Sequence, residues 1–287
     1  MGYLLVAAAA VLWGMLGPVT RVALAEGVGA TEVAFWRAVI AAGIFGVHAA
    51  AIGRVRIARR DVPSVVAFGV FGVAGLLATF SWAVEAGGAA LAAILLYTAP
   101  VWVALLSWLF LRERMTARKL AALAVASVGV AGIAASGGGG IRLTPAALGW
   151  GLASGFAYAL YYLFGKRYFT VYPTATLFVW ALPVGALAML PLVEWAPKSA
   201  AAWGSLLFIA VLPTYLAYVC YSAGLRRVEA TRAAVVAMVE PVVAAVGAFL
   251  LWGERLSAAG YLFAAVVLAG VLLMVGGTRT VEEPPHP

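Results

Sequence analysis

Two stretches, Leu111-Arg112-Glu113-Arg114-Met115-Thr116 and Trp252-Gly253-Glu254-Arg255-Leu256-Ser257, stand 141 residues apart and close their apolar runs in the same way. The offset holds elsewhere without a gap. Ala99-Pro100 falls on Glu240-Pro241, Gly129-Val130 on Gly270-Val271, Phe80-Ser81 on Tyr221-Ser222, and Gly14 on Gly155. A chain that repeats at one constant offset is two copies of one unit, so the fold of one copy decides the fold of the whole.

The unit is built for lipid. Of 287 residues, 65% are hydrophobic and 10% charged, and the mean hydropathy is +1.04. A soluble domain is about 45–50% apolar and about 25% charged, and this chain has too few polar residues to cover a water-facing surface. Spanning helices need about 20 mainly apolar residues. Ten segments meet that length: about 3–25, 31–51, 63–85, 88–111, 120–136, 146–165, 173–193, 201–224, 233–252 and 258–276. The prediction is an all-α integral membrane protein of ten transmembrane helices. Five helices per copy is an odd number, so the copies sit upside down relative to each other as two inverted five-helix repeats (5+5). The first repeat is expected over 1–136 and the second over 146–277, with a Gly-rich linker at 137–145 and a disordered tail at 278–287.

The net charge of +8 points to topology rather than to nucleic acid. The loops on the side of the N-terminus carry fourteen Lys and Arg, and the opposite loops only Arg142, Lys198 and Arg255. By the positive-inside rule both termini are cytoplasmic. The first run, Tyr3 to Ala25, has no basic leader and contains Trp13, Gly14 and Pro18, so it reads as a retained helix rather than a cleaved signal. Cys220 lies inside an apolar run, with no second cysteine for a disulfide and no metal-ligand spacing around it, and reads as a small core residue.

Trp13-Gly14 in the first helix, Phe35-Trp36-Arg37 in the second, Pro100 and Pro241 in the fourth and ninth, and the doubled Glu-Arg endings resemble the drug/metabolite transporter (DMT) superfamily, in its EamA branch of two tandem five-helix domains. Within that branch the chain is most like bacterial amino-acid exporters of the YddG type. The resemblance implies a multi-pass protein of the bacterial inner (plasma) membrane that exports aromatic or hydrophobic amino acids. Because each half lacks its complement alone, one chain is expected to act as a monomer. Another small solute (a drug cation, a nucleotide sugar or a phosphorylated metabolite) is the alternative class. The first half departs from the family where Arg112 stands in place of the Gly found at 253.

Several residues suit the handling of a solute at bilayer depth. Glu240 lies near the middle of the ninth segment, where a charge must face a cavity, find a partner or hold a proton. Trp13, Phe80, Tyr97, Tyr158, Tyr162, Trp180, Tyr218 and Tyr221 fall within helices rather than in interfacial belts, and their rings suit an amphipathic solute. Ser81 is expected either to touch substrate or, like Ser222, to tie helices together. Pro100 and Pro241 are expected to kink the fourth and ninth helices and to act as hinges. Arg37, about two turns inside the second segment, is expected to pair with Glu32, Glu85 or Glu26. Glu113 and Glu254 should order loops, and Gly69, Gly72 and Gly75 should pack closely against a neighbour. No Walker-type phosphate loop, G-x-S-x-G or H-E-x-x-H occurs, no Lys falls in a span, and the single Asp, Asp61, sits in a basic loop. Neither an enzyme nor a cofactor or metal is expected; the partners are a small-molecule substrate and the bilayer.

Overall fold

The computed structural model describes residues 1–137 and 141–276. The predicted tail and residues 138–140 of the predicted linker lie outside the described residues. Helices follow one another through short turns: α1 Gly2–Ala25, α2 Ala30–Ala51, α3 Arg59–Gly87, α4 Ala89–Phe110, α5 Ala117–Ser136, α6 Pro145–Tyr168, α7 Thr174–Leu192, α8 Ala200–Leu225, α9 Ala230–Trp252 and α10 Ala258–Val275. There is no strand among the described residues. Nine of these helices are long and apolar enough to cross a membrane. The exception is α6, whose 24 residues suffice in length but whose tyrosines, glycines, Lys166 and Arg167 lower its hydropathy.

Side-chain caps set the starts of α5, α6, α8 and α10. Thr116 and Ser257, equivalent across the repeat, accept from Lys119 N (3.3 Å) and Gly260 N (3.1 Å) at the starts of α5 and α10. Thr144 does the same for α6, with Pro145 in the first turn where its missing N–H costs nothing. The turns before α5 and α10 also match. Arg112 and Gly253 both take a left-handed backbone, φ 56° and 68°, and Glu113 N and Glu254 N reach back to Ser107 O and Ala248 O.

Glycines let the helices approach, and the approaches come in pairs. A Cβ on Gly129 would stand 2.6 Å from Val267 N, and one on Gly270 would stand 2.7 Å from Ala126 N. Adding 141 to Gly129 and subtracting it from Val267 gives Gly270 and Ala126, so α5 and α10 pack by reciprocal contacts. Gly14 of α1 abuts Glu240 O of α9, and its equivalent Gly155 of α6 abuts Leu95 O of α4, four residues before the position equivalent to 240. Gly69 packs on Ala181 O and Val184 of α7 as expected, whereas Gly72 meets only Phe68 of its own helix. Leu250, Leu262 and Leu272 point outward, as side chains facing lipid do.

Three helices are interrupted near their middles, at Met15 in α1, at Tyr97–Thr98 in α4 and at Met238–Val239 in α9. The interruptions in α4 and α9 fall just before Pro100 and Pro241, and they are breaks rather than the expected kinks. Each proline is the second residue of a new half-helix, at a position whose N–H has no intrahelical partner in any case. Wide π-type turns replace regular helix at Phe68–Ala74 in α3 and Ala210–Leu216 in α8. Lys119, expected in a loop, is instead buried in the first turn of α5.

Candidate functional site

The break in α9 makes Glu240 the first residue of a half-helix, at the end where the helix dipole places a partial positive charge. Its carboxylate accepts from the Tyr158 hydroxyl of α6 at 3.2 Å. Tyr97, where the first half of α4 ends, points its hydroxyl at the same carboxylate, and Tyr162 stands close by. The two broken helices and α6 therefore meet at one acidic point.

Aromatic rings pack around it. Trp13 of α1 packs on Tyr221 (centroids 5.2 Å) and Tyr218 (6.1 Å) of α8. Tyr162 meets Tyr221 edge-on at 5.5 Å and Tyr158 at 5.9 Å. The Tyr218 hydroxyl donates to that of Tyr161 at 3.3 Å. Phe178 stacks on Tyr218 at 4.5 Å, and Phe68 meets Tyr161 edge-on at 4.7 Å and stacks on Phe164 at 4.1 Å. The Tyr221 hydroxyl is buried and has no hydrogen-bond partner among the described residues. A buried hydroxyl left unpaired costs about 1–3 kcal/mol, which a polar solute can recover.

Seven of the ten predicted substrate residues meet here: Trp13, Tyr97, Tyr158, Tyr162, Tyr218, Tyr221 and Glu240. Phe80 and Ser81 of α3 make no ring contact or hydrogen bond with this group. Trp180 is elsewhere. Its indole is half exposed and donates to Val55 O at 2.8 Å, so it braces the loop after α2. Ser222 ties α8 to α7 through Thr174, which is its expected helix-joining role. Tyr161, Phe68 and Phe178 complete the box, and nothing in their local sequence separates them from packing residues.

Arg37 departs from its expected pairing. Glu32 is taken by Lys198, with further hydrogen bonds from Trp36 Nε1 (3.2 Å) and Ala196 N (3.1 Å). Lys198 itself sits among Trp36, Trp195 and Trp203, 5.6–5.9 Å from each ring. Among the described residues no carboxylate lies within 4 Å of the Arg37 guanidinium. Its charge bears instead on Tyr161 and Glu240. The box thus holds a buried acid and lies within the field of a cation that has no ion-pair partner among the described residues.

The two ends of the bundle differ. At one end Glu113 accepts from Ala230 N (2.7 Å) and Thr231 N (3.3 Å), while Glu229 binds Lys119 (2.8 Å) and Arg232 (2.5 Å). Burial raises the pKa of the Glu229 carboxyl, but hydrogen bonds from Lys119 and Arg232 outweigh it and hold the group below the usual carboxylate range. At the other end Glu254 pairs with Arg21 (2.6 Å), which also lies over the Trp252 ring. A separate cavity of about 630 Å³ opens beside Gly53–Arg56 and Val171–Thr176. At its rim Tyr172 donates to Asp61 at 2.6 Å, a bond that raises the hydroxyl's pKa.

A multi-pass helical protein with broken helices around a polar, ring-walled interior is of the transporter class. The chain belongs to the EamA-like transporter family, whose model matches residues 1–135 and again 145–276. It is 28% identical over 270 residues to a protein of Streptantibioticus cattleyicolor described as a probable terminal-alkyne amino-acid exporter, covering 92% of this chain and 90% of that one. It is 26% identical over 283 residues to the uncharacterized inner membrane transporter YicL of Salmonella typhimurium, covering 95% and 94%. A solved crystal structure superposes with a TM-score of 0.85 at 18% identity, over 98% of this chain and 99% of that one, and so shares the fold. The family and these relatives are transporters, not enzymes.

Proposed function

We propose that this protein exports amino acids, aromatic or hydrophobic ones in particular, by alternating access. The observation that carries the reading is the Glu240 carboxylate, hydrogen-bonded by Tyr158 inside a box of aromatic rings. A carboxylate receives the substrate ammonium, Arg37 receives its carboxylate, and the rings receive an apolar side chain. The relative described as an amino-acid exporter supports the same class.

In this reading α6 is a tenth span, and the chain is two inverted five-helix repeats, 1–136 and 146–277, acting as a monomer. The reciprocal α5–α10 packing and the paired family match support that division. The positive-inside bias supports cytoplasmic termini in an inner membrane, with the Glu113 end inward.

Purified protein in liposomes loaded with labelled phenylalanine tests the reading. Efflux down the gradient, inhibited by other aromatic amino acids, is the expected result. No flux of any amino acid, beside flux of an organic cation or a phosphorylated solute, would overturn it.

A further inference from the structure

The motif that ends α4 and α9 has one backbone and two side-chain fates. Arg112 and Gly253 share a left-handed turn, and Glu113 N and Glu254 N reach back to equivalent carbonyls. Yet Glu113 is buried against the start of α9, and Glu254 stands half exposed beside Arg21. Shifted by 141, the residues that Glu113 caps become Ala89 and Ala90, the start of α4. The first backbone bond of that helix is Ala92 N to Gly88 O, which leaves both earlier amides without a helical acceptor. Ala89 is exposed, whereas its equivalent Ala230 is fully buried.

We infer that Glu254 is a gate residue. When its end of the bundle closes, its carboxylate leaves Arg21 and caps the start of α4 at Ala89 and Ala90, as Glu113 now caps α9 at Ala230 and Thr231. The two carboxylates are alternating latches, and the structure holds the Glu113 latch shut and the Glu254 latch open. A carboxylate on helix-start amides gains charge-assisted hydrogen bonds and the favourable end of the helix dipole. The Arg21–Glu254 pair it gives up is exposed on both sides, and such pairs contribute little. Gly88 in place of Glu229, and Gly260 in place of Lys119, deprive the Glu254 end of the second ion pair that reinforces the Glu113 end.

The inference rests on the alternating-access reading, and one experiment separates the two. Spin labels at Glu85 and Ala259 report the Glu254 end, and labels at Arg114 and Arg227 the Glu113 end, in the full chain with Cys220→Ser, reconstituted with and without phenylalanine. Wild type should show a short and a long distance at each end. Glu254→Gln should deplete the short distance at its own end about tenfold, the loss of one charged hydrogen bond, and Glu113→Gln should act oppositely. Ala89→Pro removes the amide that Glu254 needs while keeping a residue tolerated in the first turn, so it should reproduce Glu254→Gln. Two distances in wild type, with Glu254→Gln and Ala89→Pro unchanged from it or with both Gln variants shifting the same way, overturn the latch alone. A single fixed distance at each end overturns alternating access and the latch with it.

Discussion

Replacing Glu240 by Gln keeps the shape of the site and removes its charge. Tyr158 can still donate to the amide oxygen, so the box should stay folded. What changes is the energy of a substrate ammonium at this point. Two unit charges about 4 Å apart interact by about 4 kcal/mol at an effective dielectric constant near 20, which sets an upper limit. A lower limit is the difference between a charged and a neutral hydrogen bond, about 1.4 kcal/mol. Affinity should therefore fall between about tenfold and about a thousandfold. Trp13 lies in the box and provides a fluorescence signal for titration in detergent. Phenylalanine should lose this affinity, while 3-phenylpropionate, which lacks the ammonium, should lose little. If Glu240→Gln still bound phenylalanine as wild type does and still preferred it to the deaminated analogue, the carboxylate would have no part in recognition.

Lys198→Met should leave the buried Glu32 unpaired at a cost of about 3–5 kcal/mol, with much of the loss in thermal stability restored by adding Glu32→Gln. Gly270→Val would drive a branched side chain into Ala126, whose backbone N is 2.7 Å from a Cβ placed there, and should cost about 1–3 kcal/mol or more in thermal unfolding. Glu229 titrates low, so its contribution is complete above its unfolded value near pH 4 and is lost as the pH falls through the lower folded value. Acidification should open the Glu113 end to a thiol reagent at an Arg227→Cys site, and Lys119→Met should weaken that pH response.

The helices were legible because lipid constrains sequence harshly. Each expected segment lies within a few residues of an observed helix, and the Glu-Arg endings locate matching turns. The breaks in α4 and α9 were not legible, since proline gives the same signal inside a helix and in the first turn of a new one. Seven of the ten site residues gathered because aromatic residues and an acid at depth have few other uses. Trp180 was misplaced because residue type does not say whether an indole faces the interior or a loop. Arg37 was misjudged. One of the partners expected of it, Glu32, is held by Lys198, 166 residues further along the chain from Glu32, a pairing with no local trace.

The α5–α10 seam has a consequence for how this chain can be cut. Its contacts survive exchange of the two halves, Gly129 on Val267 and Gly270 on Ala126, which is the property of an isologous surface. Each half therefore presents to the other the surface that two identical subunits would present to each other. Severed between α5 and α6 and made as two polypeptides, the halves carry the means of finding one another in the bilayer, so the covalent connection serves proximity rather than recognition.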